Sequence, residues 1–155
     1  MPSRRSVTVQ LRRATRRGWV PAVAALERWT NLALGRRARG AELSVLLVSP
    51  ARSRHLNRRY RGRDHSTNVL AFPAAHGAPD WPRALGDLVI CPQLLRSEAR
   101  AQGKSVRAHW MHLVIHGTLH LIGYDHQRPA EAQRMERREA RLLRSLGVAD
   151  PYRSA

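Results

Sequence analysis

Val7-Thr8-Val9-Gln10-Leu11 alternates apolar and polar residues with the period of two that marks a half-buried strand. The period then changes. Pro21 followed by Val23, Leu26, Trp29, Leu32 and Leu34 predicts an amphipathic helix with proline near its start and its apolar stripe in the core. Arg36 to Gly40 interrupts this pattern, and Leu43 to Val48 is a short apolar run suited to a buried strand. Ser49 and Pro50 read as a helix start, with Ser49 capping and Pro50 in the first helical position; that helix is expected to run to about Tyr60. Thr67 to Phe72 reads as a strand stopped by Pro73, Ala74 to Pro82 as a loop, and Leu85 to Cys91 as a fourth strand.

The second half is helical. Pro92 opens a helix to about Gln102, and Gly103-Lys104-Ser105 separates it from a helix with Trp110, Leu113, Val114 and Leu121 as core positions. A last helix from about Glu131 to Leu146 turns Ala132, Met135, Leu142 and Leu146 inward. Its Arg134, Arg137, Arg138, Arg141 and Arg144 form a solvated face, with Glu136 and Glu139 available for screening pairs. Four strands and about five helices in the order β-α-β-α-β-β and then helices fit a small mixed sheet packed by helices. A chain of 155 residues accommodates this as one domain over residues 1–155.

Charge narrows the partners. Lys and Arg number 28 against 11 Asp and Glu, a formal net charge of +17, which calls for a polyanion. Lys104 is the only lysine, and arginine's planar fork matches phosphate oxygens two at a time. Cys91 is the only cysteine, which excludes an intrachain disulfide and a thiolate metal cluster and agrees with a reducing cytosol. The N-terminus carries Arg4, Arg5, Arg12, Arg13, Arg16 and Arg17 and no acid before Glu27, as a transit peptide would, but the strand-like alternation from Val7 marks it as folded. No apolar run is long enough to span a bilayer, so a soluble, cytoplasmic protein without a membrane partner is expected.

Candidate chemistry is concentrated between His116 and His126. His116 and His120, four apart on a helix, aim two imidazoles at one point. Gly123 can end that helix in the left-handed conformation and bring His126 round. Three imidazoles suit one zinc ion, and three protein ligands leave a fourth position open, the arrangement of a catalytic site. Zinc-peptidase helices carry a glutamate beside the first histidine as general base, whereas Gly117 stands there in this chain. His112, one turn before His116, is expected to border the metal, and His109 to be a satisfied core histidine. Asp87, inside an apolar strand, is either a turn residue at the strand's start or part of a polar site.

Three blocks carry a family resemblance. His116 to His126 resembles the H-G-x-L-H-L-x-G-Y-D-H signature of the YbeY family, bacterial metal-dependent endoribonucleases that mature ribosomal RNA. Leu56 to Pro73 is similar to its L-N-x-x-Y-R-x-x-D-x-x-T-x-V-L-x-F-P block, Leu85 to Cys91 to its L-G-D-[IL]-x-I-[CS] strand, and Asp150-Pro151-Tyr152 to a common ending. Asn68 and Ala71 stand where aspartate and serine are frequent. The resemblance implies a single α+β domain with a mostly parallel four-stranded sheet, one zinc on His116, His120 and His126, and a functional basic residue at Arg61; Arg59 and Arg63 beside it, which make this copy unusually basic, are further candidate substrate contacts. It further implies cleavage of single-stranded RNA in 16S ribosomal RNA 3′-end maturation and ribosome quality control, with the small ribosomal subunit as partner and a monomeric state. His112 and Asp87 are candidate general bases, and attack by the RNA 2′-hydroxyl is the alternative to water. Two rival functions are a zinc-stabilised, non-catalytic RNA-binding assembly factor and a zinc peptidase.

Overall fold

A computed structural model of the chain describes residues 6–74 and 83–152. The expected loop from Ala74 to Pro82 therefore lies, beyond Ala74, outside the described residues. The elements run β1 (Thr8–Arg13), α1 (Val23–Leu34), a 3-10 turn (Gly35–Ala38), β2 (Glu42–Leu47), α2 (Pro50–Arg61), β3 (Val69–Pro73), β4 (Ala84–Ile90), α3 (Pro92–Ala101), α4 (Val106–Leu121) and α5 (Pro129–Ser145). The sheet order is β1-β2-β4-β3. β1, β2 and β4 are parallel, joined through helical crossovers, and β3 runs antiparallel on β4 as an edge strand. The expected single α+β domain with a mixed four-stranded sheet is thus what forms.

Local chemistry sets the element ends. Ser49 caps α2 by accepting from the Arg52 amide at 3.2 Å, and Ser105 caps α4 by accepting from Ala108 at 3.1 Å. β3 begins two residues later than the sequence pattern predicts, because both backbone groups of Thr67 are occupied by Ser53. The Ser53 hydroxyl donates to the Thr67 carbonyl at 2.7 Å and accepts from its amide at 2.9 Å. Even-numbered β3 residues face β4 in the ladder, as Cys91 donating to Asn68 and Ala74 donating to Leu85 require. Pro73 is accommodated because the amide it lacks would have pointed outward.

The two faces of the sheet are covered differently. Leu43, Val45, Leu47, Leu88 and Ile90 pack with Leu26 and Trp29 of α1, Trp110, Val114, Ile115 and Leu119 of α4, and Met135 and Leu143 of α5. The opposite face buries a smaller set, Val48, Leu70 and Val89, with Leu46, Phe72 and Leu56 of α2 against it. α4 touches α1, α3, α5 and β3, so it is apolar around most of its circumference, as a central helix must be.

Gly117 is where α4 meets the sheet. A Cβ built there lies 2.7 Å from Leu88 Cδ2 and 3.5 Å from Val69 Cγ2. Leu88 is fully buried and has little room to withdraw. Gly117→Ala is expected to destabilise the fold by about 1 kcal/mol. The overpacking cost of about 1–3 kcal/mol exceeds the helix-propensity gain of about 1 kcal/mol. Urea unfolding measures it, and a variant more stable than wild type would contradict the packing argument.

Candidate metal centre

The last turn of α4 and the turn after it carry the three motif histidines. α4 ends in paired bonds that reverse the chain: Gly123 N–H donates to His120 O at 3.1 Å and Tyr124 N–H to Leu119 O at 3.0 Å. Gly123 has φ 104°, a conformation a side chain would strain. Arg37, from the 3-10 turn, donates Nη1 to the Ile122 carbonyl at 3.2 Å and pins this reversal to the body of the domain. His126 is thereby folded back beside His116 and His120.

One ligand nitrogen from each of His116, His120 and His126 lies within 4.8 Å of the others. His116 Nε2 and His120 Nε2 are 3.2 Å apart. Two nitrogens sharing a tetrahedral ion with metal–nitrogen bonds of about 2.0–2.1 Å would be separated by about 3.3 Å, so the pair is set at ligand spacing. Burial and the neighbouring His116 and His126 lower the His120 pKa to about 4, which keeps its lone pair free at neutral pH. His116 and His120 are half-buried and His126 is exposed, leaving the cluster open on one side. The donor set fits a single borderline-soft cation such as zinc.

Behind this cluster lies a carboxylate that the sequence pattern missed. Glu139, on α5 and fully buried, accepts from His116 Nδ1 at 2.5 Å and from His112 Nε2 at 3.2 Å. The Tyr152 hydroxyl donates to it as well and is 3.2 Å from His112 Nε2. Burial alone would raise the Glu139 pKa, but the hydrogen bonds from His112 and His116 outweigh it and hold the carboxyl at about 2. Glu139 is therefore an ionised acceptor, and Nδ1 of His116 must carry the proton while Nε2 faces His120. Burial, and then the Glu139 contact, raise the Tyr152 pKa, so its hydroxyl stays a donor. His112, His116 and Glu139 also meet the distance criterion for a metal group, but their contacts are hydrogen bonds shared with Tyr152, which makes them the support for His116. Glu139 does not screen arginines as the helix pattern suggested. The available signal was its place on the inward stripe of α5, four residues after Met135 and three before Leu142.

The remaining candidates are dispersed. His112 borders the cluster as expected, yet its Nε2 is committed to Glu139 and Tyr152 and its Nδ1 is buried without a partner among the described residues. His109 is buried with Nε2 3.2 Å from Glu98, a carboxylate also held by Asn68 at 2.8 Å. Asp87 lies mid-strand opposite Ser44 and Phe72 and is exposed. Alternation places it on the face away from Leu88, which packs on α4, so the sheet separates Asp87 from the histidines. Arg61, at the end of α2, donates Nη2 to the outward carbonyl of Ala71 at 2.7 Å and lies 5.7 Å over the Phe72 ring. It is fixed to the free edge of β3, the strand that α4 covers through Val69, and touches none of the histidines among the described residues. Asn57, bonded to the His65 carbonyl at 2.9 Å, holds the α2–β3 connection that positions it. Arg59, 5.5 Å from the Tyr60 ring, and Arg63 are exposed nearby.

The model of the family described as Endoribonuclease YbeY matches residues 14–147. The chain belongs to the YbeY endoribonuclease family. It is 51% identical to the Endoribonuclease YbeY of Stutzerimonas stutzeri over 138 residues, covering 87% of this chain and 85% of the relative. It is 52% identical to that of Pseudomonas putida over 134 residues, 85% of each chain. A Thermotoga maritima protein solved in solution superposes with a TM-score of 0.58 at 24% identity, over 96% of this chain and 99% of that one, a likeness of fold. The residues matched by the family model include His116, His120 and His126.

Proposed function

We propose that the chain is a zinc-dependent endoribonuclease that cleaves single-stranded RNA, acting on the 3′ end of 16S ribosomal RNA and in ribosome quality control as a cytoplasmic monomer. The observation that carries this reading is the set of three convergent imidazoles, with His116 and His120 at 3.2 Å, open on the His126 side. The relatives' name and the net charge of +17 support RNA as the substrate. Zinc, when bound, supplies Lewis-acid stabilisation of phosphate charge and acidifies bound water. His116, His120 and His126 hold it, Glu139 fixes the tautomer and direction of His116, and His112 and Tyr152 keep Glu139 in place.

His112 is a positioning residue on this reading, because its Nε2 is committed to Glu139 and Tyr152 and its Nδ1 is buried. Asp87 lies on the face of the sheet away from the histidines, so it is not assigned the role of base. The proton acceptor is therefore sought at the metal or in the RNA itself. Arg61 stabilises charge on the phosphate from the β3 edge, with Arg59 and Arg63 guiding the strand. Arg61→Ala is expected to lower the single-turnover cleavage rate by about 10²-fold with zinc content unchanged, as loss of one charge-stabilising donor does; an unchanged rate would remove Arg61 from the mechanism.

The peptidase reading weakens further, since position 117 faces Leu88 and the sheet and offers no place for a base at the metal. The metal-staple reading calls for a fourth protein ligand, and the cluster groups three among the described residues. The deciding experiment removes the metal with a chelator and assays an unstructured oligoribonucleotide. Cleavage should vanish, return on adding zinc, and spare a duplex of the same sequence. Cleavage that survives complete metal removal would overturn the proposal.

A further inference from the structure

Outside the histidine cluster, a groove of about 370 Å³ lies between α5 and the turn at Asp150 to Tyr152. Arg137, Arg141 and Arg144 line it from α5, at spacings of four and three residues that put them along one side of the helix. All three are exposed, and none has an ion-pair partner among the described residues. Glu136 and Asp150 also border the groove. The Asp150 carboxylate accepts from the Tyr152 amide at 2.9 Å, which shapes the turn.

Tyr152 forms the wall between this groove and the metal centre. Tyr152 is 42% exposed, yet its hydroxyl is held by buried Glu139 and its ring stands perpendicular to His112 at 5.6 Å. The result is an immobilised aromatic face beside a row of guanidinium groups. Non-sequence-specific sites for single-stranded nucleic acid combine these two features, a basic track for phosphates and an aromatic platform for a base. The groove is also next to the proposed reacting centre, since Glu139 bonds both Tyr152 and the ligand His116.

We propose that this groove is a subsite for the single-stranded RNA flanking the cleaved bond, with Arg137, Arg141 and Arg144 on backbone phosphates and Tyr152 stacking on a base. The inference rests on the endoribonuclease reading and adds the path of the strand beyond the metal. The α3 groove, lined by Arg96, Ser97, Arg100 and Ala101, offers a matched control with two arginines and no aromatic residue.

The test is fluorescence anisotropy of a short labelled 2′-O-methyl oligoribonucleotide with zinc-loaded protein at several salt concentrations. Arg137→Ala/Arg141→Ala is expected to weaken binding about tenfold and make the log–log salt slope shallower by about one to two. Arg96→Ala/Arg100→Ala, which removes the same charge, should bind as wild type. Tyr152→Phe keeps the ring but releases it from Glu139 and should lose less affinity than Tyr152→Ala, which should lose about tenfold. Equal losses from the two arginine pairs, no loss from the α5 pair, or wild-type affinity in Tyr152→Ala would each overturn the inference. A wild-type protein that neither binds the probe nor cleaves its unmethylated counterpart overturns the endoribonuclease reading and this inference together. A wild type that does both, matched by the α5 variants, overturns this inference alone.

Discussion

Replacing His120 with alanine is expected to remove the metal and lower cleavage of single-stranded RNA by about three orders of magnitude while the domain stays folded. His120 Nε2 is one of the two nitrogens set 3.2 Å apart, and its loss leaves only His116 and the exposed His126. Two imidazoles fall short of the three protein ligands that a catalytic zinc site uses. A metal ion contributes several kcal/mol of charge stabilisation in the transition state, and about 4 kcal/mol corresponds to about 10³ in rate. The fold should survive because His120 is half-buried on the last turn of α4, away from the layer around Trp110, Val114 and Ile115. Metal analysis, circular dichroism and a cleavage assay on the same preparation check all three parts. Cleavage at the wild-type rate by a folded, zinc-free variant would refute the proposed function.

Glu139 should produce the second large effect, on both metal affinity and stability. Glu139→Gln keeps the side-chain shape but replaces one acceptor oxygen with an amide donor, facing groups that already donate: His116 Nδ1–H, His112 Nε2–H and the Tyr152 hydroxyl. Zinc affinity should fall by about 10–100-fold, the usual consequence of losing the partner that orients a metal-bound histidine. Glu139→Ala goes further, leaving those donors buried without an acceptor. A destabilisation of about 3–5 kcal/mol is expected, as for a buried polar pair broken from one side. Competition with a chelating dye reads the first effect and denaturant unfolding of the metal-free protein the second. Undiminished zinc affinity in Glu139→Gln would show that His116 is oriented by something else.

How much of this was legible in the chain depended on the range of the interaction. The strands and helices followed the apolar period closely, and the cap at Ser49 fell where serine precedes a proline start. β3 was displaced by Ser53, whose hydroxyl holds Thr67 from 14 residues away. Asp87 was ambiguous for the same reason: alternation assigns it to one face of a strand, but only the packed domain says which face meets α4.

The sequence by itself determined which three histidines converge and the chain reversal that gathers them. An i, i+4 histidine pair followed by glycine depends on helical geometry within a few residues, and local geometry is what a sequence pattern encodes. Only the tertiary structure decided what stands behind those histidines. Glu139 reaches His116 across 23 residues and Tyr152 reaches Glu139 across 13, contacts that exist because α5 and the C-terminal turn pack on α4. It also decided that position 117 faces the sheet and that Arg61 is fixed to the β3 edge. These placements depend on how helices and sheet pack against one another, and no residue spacing along the chain carries that information.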